Sequence, residues 1–252
     1  LLFVFSIVTA LFFTACDPNA MDDFFNKSEE EIVYALMENS EFSSTRRTTI
    51  DSWHEEVRTI RIALDSYKDH PGFIAFEYTI PRVGGRIDCI IGLKGILFVL
   101  EFKTGEEQSV DADKEQLIQY VTDLKNFHFE SYDIPIAPIW VVPSAKLDVC
   151  HITKPKTNKL IFSTSTVCNN TIADCIHKVL SKDLGILDAI DMNNWLYSPY
   201  CPTTSIVDAA RKLYANNTVE NALSLYRDVE HNMHSILALD GYIFENNIPK
   251  PI

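Results

Sequence analysis

The chain has 252 residues, 46% of them hydrophobic and 23% charged, with 11 prolines and 8 glycines, a balance that excludes collagen-like, low-complexity and generally disordered classes. Its length accommodates one α/β domain of ordinary size plus an appendage. A formal net charge of −13 argues against passive coating of nucleic acid, which relies on Lys and Arg neutralising phosphates, but not against carboxylates that gather divalent cations.

Residues 1–15 are almost wholly apolar, and Phe13-Thr14-Ala15-Cys16 is similar to a bacterial lipoprotein cleavage site. Two readings follow. In one, a lipoprotein signal leaves the protein membrane-anchored through a lipidated Cys16. In the other, the apolar run is an upstream extension of a cytoplasmic reading frame, since it lacks a basic region and Met21 opens a polar segment. The second is preferred, and residues 1–20 are expected to lie outside the fold in either case. Six cysteines form no CxxC pair and no zinc-ligand rhythm, so they read as small buried apolar residues in a reducing compartment.

The apolar spacing of Phe24, Phe25, Ile32, Val33 and Leu36 predicts a single helix over residues 22–39, followed by a polar loop at 40–49. A second helix is expected to start at Asp51 or Ser52, with Trp53, Val57, Ile60 and Leu64 inward. The period then changes. Residues 73–81, 86–92 and 96–103 read as three strands joined at Gly84-Gly85 and Lys94-Gly95, an antiparallel meander. Residues 113–128 form a helix with Leu117, Tyr120, Val121, Leu124 and Phe127 inward, and 134–142 a fourth strand. A helical crossover places that strand parallel to the third. A short strand at 160–163, a helix at 170–180 and helices over 205–215, 219–226 and about 229–244 complete the reading. The fold class expected is therefore α/β, a mixed sheet flanked by helices, over residues 21–198, with a helical appendage at 199–252.

Chemistry concentrates on two of these strands. Asp88 sits on one and Glu101 on its neighbour, so two carboxylates can converge on a hard divalent cation. Strand alternation puts Glu101 and Lys103 on one face and turns Phe102 inward, its backbone carbonyl available as a further metal ligand. Glu-x-Lys on a strand usually marks a solvated face. Here the strand is apolar on both faces, and charges at its end call for a reason. Gln116 and Tyr120 share one helical face at i, i+4. Of the acids on the preceding helix, Glu56 borders the inward stripe whereas Glu55 points away, so Glu56 is the favoured further acid, with Glu77 its rival. His54, His128 and His151 lack metal-ligand spacing. Arg82 and Arg86 flank the meander turn, where solvation is favoured over a phosphate contact.

Arg86-Ile87-Asp88 followed by Leu100-Glu101-Phe102-Lys103, within an α-β-β-β-α-β order, resembles the core of the PD-(D/E)XK nucleases, with Ile87 at the position of the usual proline. Gln116-x-x-x-Tyr120 is similar to a motif of the RecB-type exonuclease branch. The resemblance implies Mg²⁺- or Mn²⁺-dependent hydrolysis of nucleic acid, DNA in preference to RNA. Asp88, Glu101 and the Phe102 carbonyl would bind metal, Lys103 would orient or activate water, and Gln116, Tyr120 and Glu56 would complete the catalytic set. Such chemistry belongs in the cytoplasm.

Ser52-Trp53, Glu77-Tyr78-x-Ile80-Pro81-Arg82, Asp123-Leu124-Lys125-Asn126-Phe127-His128, Tyr200-Cys201-Pro202-Thr203 and Ala209-Ala210-Arg211-Lys212-Leu213-Tyr214 carry a narrower likeness. Together they resemble the nuclease-like module that precedes Schlafen-type superfamily-one helicases or ATPases. No G-x-x-x-x-G-K-[ST] occurs in these residues, so ATP-driven activity is not expected of this chain, and a separate helicase or ATPase subunit would supply a motor. Two rival readings are an inactive nucleic-acid-binding or regulatory module and an exported lipoprotein of unrelated role.

Overall fold

Strands whose side chains are apolar on both faces must be covered on both, and the chain supplies a helical layer for each. A computed structural model describes residues 17–39, 47–80, 85–103, 110–142, 160–185 and 187–199. Its sheet has six strands in sequence order: β1 (Asp17–Ala20), β2 (Gly72–Thr79), β3 (Arg86–Leu93), β4 (Ile96–Phe102), β5 (Ile136–Val141) and β6 (Ser165–Val167). The first four run antiparallel, and β5 and β6 continue parallel to β4, so the protein is a mixed α/β fold with helices flanking the sheet. Lys94 and Gly95 both take positive φ (49° and 75°), which lets a two-residue turn follow the strand twist between β3 and β4.

Alternate residues of the strands feed two cores. Ile74, Phe76, Ile91, Phe98 and Leu100 pack with Trp53, Val57 and Ile60 of α3 (Arg47–Leu64) and with α1 (Met21–Asn26), α2 (Glu29–Asn39) and α5 (Ile172–Leu180). Phe73, Ala75, Ile90, Leu97 and Val99 pack with Leu117, Val121 and Leu124 of α4 (Val110–Phe127) and Trp195 of α6 (Met192–Leu196).

Five expectations from the sequence are corrected. The single helix over 22–39 is two, because Lys27 is extended and Ser28 opens a reciprocal cap: the Ser28 N–H donates to Glu31 Oε2 (2.6 Å) and the Glu31 N–H to Ser28 Oγ (3.2 Å). Helix α3 begins at Arg47 rather than 51 or 52; Ser52 is no cap, since its hydroxyl donates to the Thr48 carbonyl one turn back (3.0 Å). Residues 160–163 make one isolated bridge, Ile161 with Ile136, and the ladder forms at β6. Residues 1–20 are not wholly outside the fold. Asp17–Ala20 covers the edge of β2, and Asn19 is buried. Helix α6 was not foreseen; Asp191 caps it by accepting from the Asn194 N–H (2.7 Å). The predicted helices beyond residue 201, Cys16, His151 and Arg82 lie outside the described residues. Cys89 and Cys175 are buried, as the composition implies, and Cys168 is partly exposed. No helix among the described residues is long and apolar enough to cross a membrane.

His128 belongs to the core rather than to the candidate site. Trp195 donates its indole N–H to Ser131 Oγ (2.9 Å), the same hydroxyl is hydrogen-bonded to His128 Nδ1 (2.8 Å), and the imidazole lies tilted against the Trp195 ring with centroids 4.6 Å apart. Burial pulls the His128 pKa down to about 4 from the ordinary 6.5, against a main-chain contact with Trp195 that raises it. The unfolded chain takes up this proton near 6.5 and the folded chain does not, so the stabilising contribution is complete above 6.5 and lost as pH falls toward 4. Between pH 7 and 4, wild type should lose about 3 kcal/mol more than His128→Asn, which keeps an acceptor for Ser131. Urea melts at both pH values measure this. Equal losses in the two proteins would refute the assignment.

Candidate functional site

The site begins where β3 and β4 part. Their ladder runs from Leu93↔Ile96 to Cys89↔Leu100 and stops there, while β4 stays paired with β5 through Phe102↔Val141. Lys103 prolongs that pairing by donating its N–H to the Val141 carbonyl (2.9 Å). The Phe102 N–H, left without a strand partner on the β3 side, donates instead to Asp88 Oδ2 (2.8 Å). A carboxylate thereby replaces a main-chain carbonyl and is fixed in the cleft between two strands. Along β4, Glu101 faces α4, where it accepts from Gln116, and Phe102 packs against the α3 core; the alternation of a strand would carry Lys103 to the Glu101 side. All three are partly exposed.

Glu77 stands opposite Asp88, between the pairs Phe76↔Cys89 and Tyr78↔Ile87. Phe76 and Cys89 face the α3 core, whereas Tyr78 and Ile87 face the α4 core, so both strands exchange faces across this one step. Glu77 carries the change with φ 55°, a left-handed conformation rare for a residue with a side chain and costing about 1–3 kcal/mol. Its carboxylate turns toward α3. There the Trp53 indole N–H donates to Oε1 (2.5 Å), and Arg86 Nε pairs with Oε2 (2.6 Å).

Glu56 is 6% exposed and reaches the same place from α3, and its Oε2 has no hydrogen-bond partner among the described residues. Glu55 is directed elsewhere, accepting from Asn169 Nδ2 (3.0 Å). The stripe argument therefore selects the right acid, but treating Glu56 and Glu77 as rivals was mistaken: both are at the site. From α4, Gln116 donates through Nε2 to Glu101 Oε1 (3.3 Å) and to the Tyr120 hydroxyl (2.5 Å), which joins the predicted Gln-x-x-x-Tyr pair to the predicted acid. The Tyr120 ring lies on Gly85, where an added Cβ would sit 2.6 Å from a ring carbon. Only glycine fits there.

The electrostatics follow from crowding. Burial, then repulsion from Asp88, Glu77 and Glu101, drives the Glu56 pKa well above the carboxylate range, with Arg86 opposing. Burial lifts Asp88 to about 7; the Phe102 N–H and Arg86 lower it and Glu77 raises it. Glu77 is also raised by burial, against Arg86 and Trp53. Like charges in low dielectric cannot all ionise without a compensating cation.

No three His, Cys, Asp or Glu side chains among the described residues close into a metal cage by themselves. A small hard cation needs no such cage, since Mg²⁺ is usually held by one or two protein carboxylates. The donors present suit it: all are oxygen, one is buried without a partner, and mutual repulsion raises their proton affinity. Compared with known proteins, the chain matches no family model, no curated protein and no solved structure.

The sequence reading overlooked Trp53 and Gly85 as parts of the site, held Glu77 only as an alternative to Glu56, and left Arg86 on a solvated turn. A glutamate central in the apolar run Phe73-Ile74-Ala75-Phe76-Glu77-Tyr78 was the usable signal.

Without metal, Asp88's contribution to stability is present below its ordinary value of 3.8 and lost as pH rises through about 7. Asp88→Asn stays neutral and keeps an acceptor for Phe102. In EDTA, wild type should therefore lose a few kcal/mol relative to Asp88→Asn between about pH 4 and pH 8. Parallel thermal or urea melts decide it, and a constant difference across that range rules the idea out.

Proposed function

We propose that the protein is a PD-(D/E)XK-type nuclease that hydrolyses DNA phosphodiesters with Mg²⁺ or Mn²⁺. The observation that carries the reading is the parting of β3 and β4, which holds Asp88 in the cleft within the field of Glu56, a buried acid that Glu101 also reaches. The element order supports it. From α3 through β2, β3 and β4 to α4 and β5, a three-strand antiparallel meander is followed by a helical crossover to a parallel strand, as a restriction-endonuclease-like core requires.

Asp88 and Glu101, with the Phe102 carbonyl, would hold the cation, and Glu56 would add negative charge behind them. The bound cation supplies charge neutralisation at phosphorus and lowers the pKa of the attacking water. Lys103 would bring an ammonium to the edge of the site, to offset charge developing on the phosphoryl oxygens and orient the nucleophile. Gln116 spans Glu101 and Tyr120, so amide and phenol form one polar ledge along which a substrate strand is positioned. A bound cation would offset the carboxylates as they ionise around the cleft, which reconciles a DNA substrate with an acidic protein.

Labelled single- and double-stranded DNA should be cut in Mg²⁺ or Mn²⁺ and left intact in EDTA. Asp88→Asn and Lys103→Met should each lower the rate at least about 10³-fold, within the range expected for an electrostatic group acting directly on the transition state. Asparagine is preferred to alanine at 88 because alanine would leave the Phe102 N–H without its acceptor and confuse folding with catalysis. Either variant cutting at the wild-type rate sinks the assignment. DNA binding without cleavage in any divalent cation would instead favour an inactive recognition module.

A further inference from the structure

Arg86 is the cation that the site holds in place. It opens β3, two residues before Asp88, and its side chain is 45% exposed although its partner Glu77 is only 4% exposed. Four elements fix it. Glu77 of β2 takes its Nε, Trp53 of α3 holds the other oxygen of the same carboxylate, the Tyr120 phenol of α4 meets its main chain, and Gly85 lets the Tyr120 ring lie flat beside it. A guanidinium has five N–H donors, and the Nε contact is an ion pair by distance without hydrogen-bond geometry, since Glu77 Oε2 accepts no hydrogen bond among the described residues. Its charge reaches Glu56 and Asp88, lowering the proton affinity of both.

An ordinary surface ion pair contributes little and needs no such mount. This one spends a left-handed residue inside a strand and a buried carboxylate on a half-exposed arginine. Backbone strain of that kind persists where the surrounding structure over-determines it, most often at sites that bind or react.

We propose that Arg86 is a substrate-positioning residue that binds a phosphate oxygen of the nucleic-acid strand, with Trp53 and Glu77 as its rigid mount. The proposal rests on the nuclease reading above. A guanidinium anchored at Nε has already lost most of its rotamer freedom, so its remaining donors meet a phosphate at low entropic cost. As a mere counter-ion to Glu77, Arg86 would affect stability and leave the electrostatics of binding unchanged.

The test is the salt dependence of binding, read by anisotropy of a fluorescein-labelled DNA duplex in Ca²⁺, with cleavage followed separately in Mg²⁺. Arg86→Met should weaken binding about tenfold or more and flatten the slope of log affinity against log salt by about 0.9, the signature of one lost phosphate contact. Arg58→Ala removes an exposed arginine paired with Glu29 on α2 and should leave the slope unchanged. Because Arg86→Met strands a buried carboxylate, Glu77→Gln and the double variant Glu77→Gln/Arg86→Met are measured beside it. The single Glu77→Gln should keep the wild-type slope, and the double should lose the same 0.9. An unchanged slope in both Arg86 variants, with wild type still binding and cutting, overturns this proposal and spares the nuclease reading. Wild type that neither binds nor cuts DNA overturns both.

Discussion

One hydrogen bond organises the candidate site: the Phe102 N–H donating to Asp88 Oδ2. Each strand residue brings a donor that must be satisfied when buried. β4 keeps its pairing with β5 to its last residue but loses β3 two positions earlier at Leu100, so one amide on the open side needs an acceptor. A side-chain carboxylate fills the gap. Asp88 is consequently anchored inside the sheet rather than carried on a loop, at a place where two strands have separated far enough to admit something other than each other. Rigid strands, rather than flexible connections, thus set the spacing of the acids.

The arrangement is expensive, and the surrounding fold absorbs the cost. Two buried acids, Glu56 and Glu77, and the partly exposed Asp88 lie close to one another, and desolvation raises all three of their pKa values. Apolar layers on both sides of the sheet, with Trp53, Phe76, Ile91 and Phe98 in one and Phe73, Val99, Leu124 and Trp195 in the other, supply the burial energy that tolerates such a cluster. Arg86 offsets part of the repulsion from within. The excess is what a divalent cation would relieve, so on the proposed function the destabilisation of the metal-free site and any affinity for metal would have a common origin.

The strained backbone at Glu77 serves that economy. Were β2 and β3 regular to their ends, Glu77 would project toward α4 and away from Trp53. The left-handed step turns it to α3, and the same step moves Tyr78 and Ile87 into the opposite core. A single twist therefore sorts two carboxylates toward a cleft and two apolar side chains away from it.

Much was legible in the sequence because it depends on local periodicity. Short apolar runs bounded by turn residues marked β2 to β5, and the turns fixed the meander. Glu101 and Lys103 fell on one face because a strand repeats every two residues, Glu56 was separable from Glu55 because a helix advances 100° per residue, and Gln116 and Tyr120 met because i and i+4 do. The Ser28-x-x-Glu31 cap was readable too and went unread. What only the tertiary structure decided is non-local: where β3 lets go of β4, the reversal of Glu77 against its strand, the mount beneath Arg86, and the seating of His128 beside Trp195, sixty-seven positions downstream. These depend on which polar groups are left over after the sheet and helices have packed, and no spacing along the chain encodes that remainder.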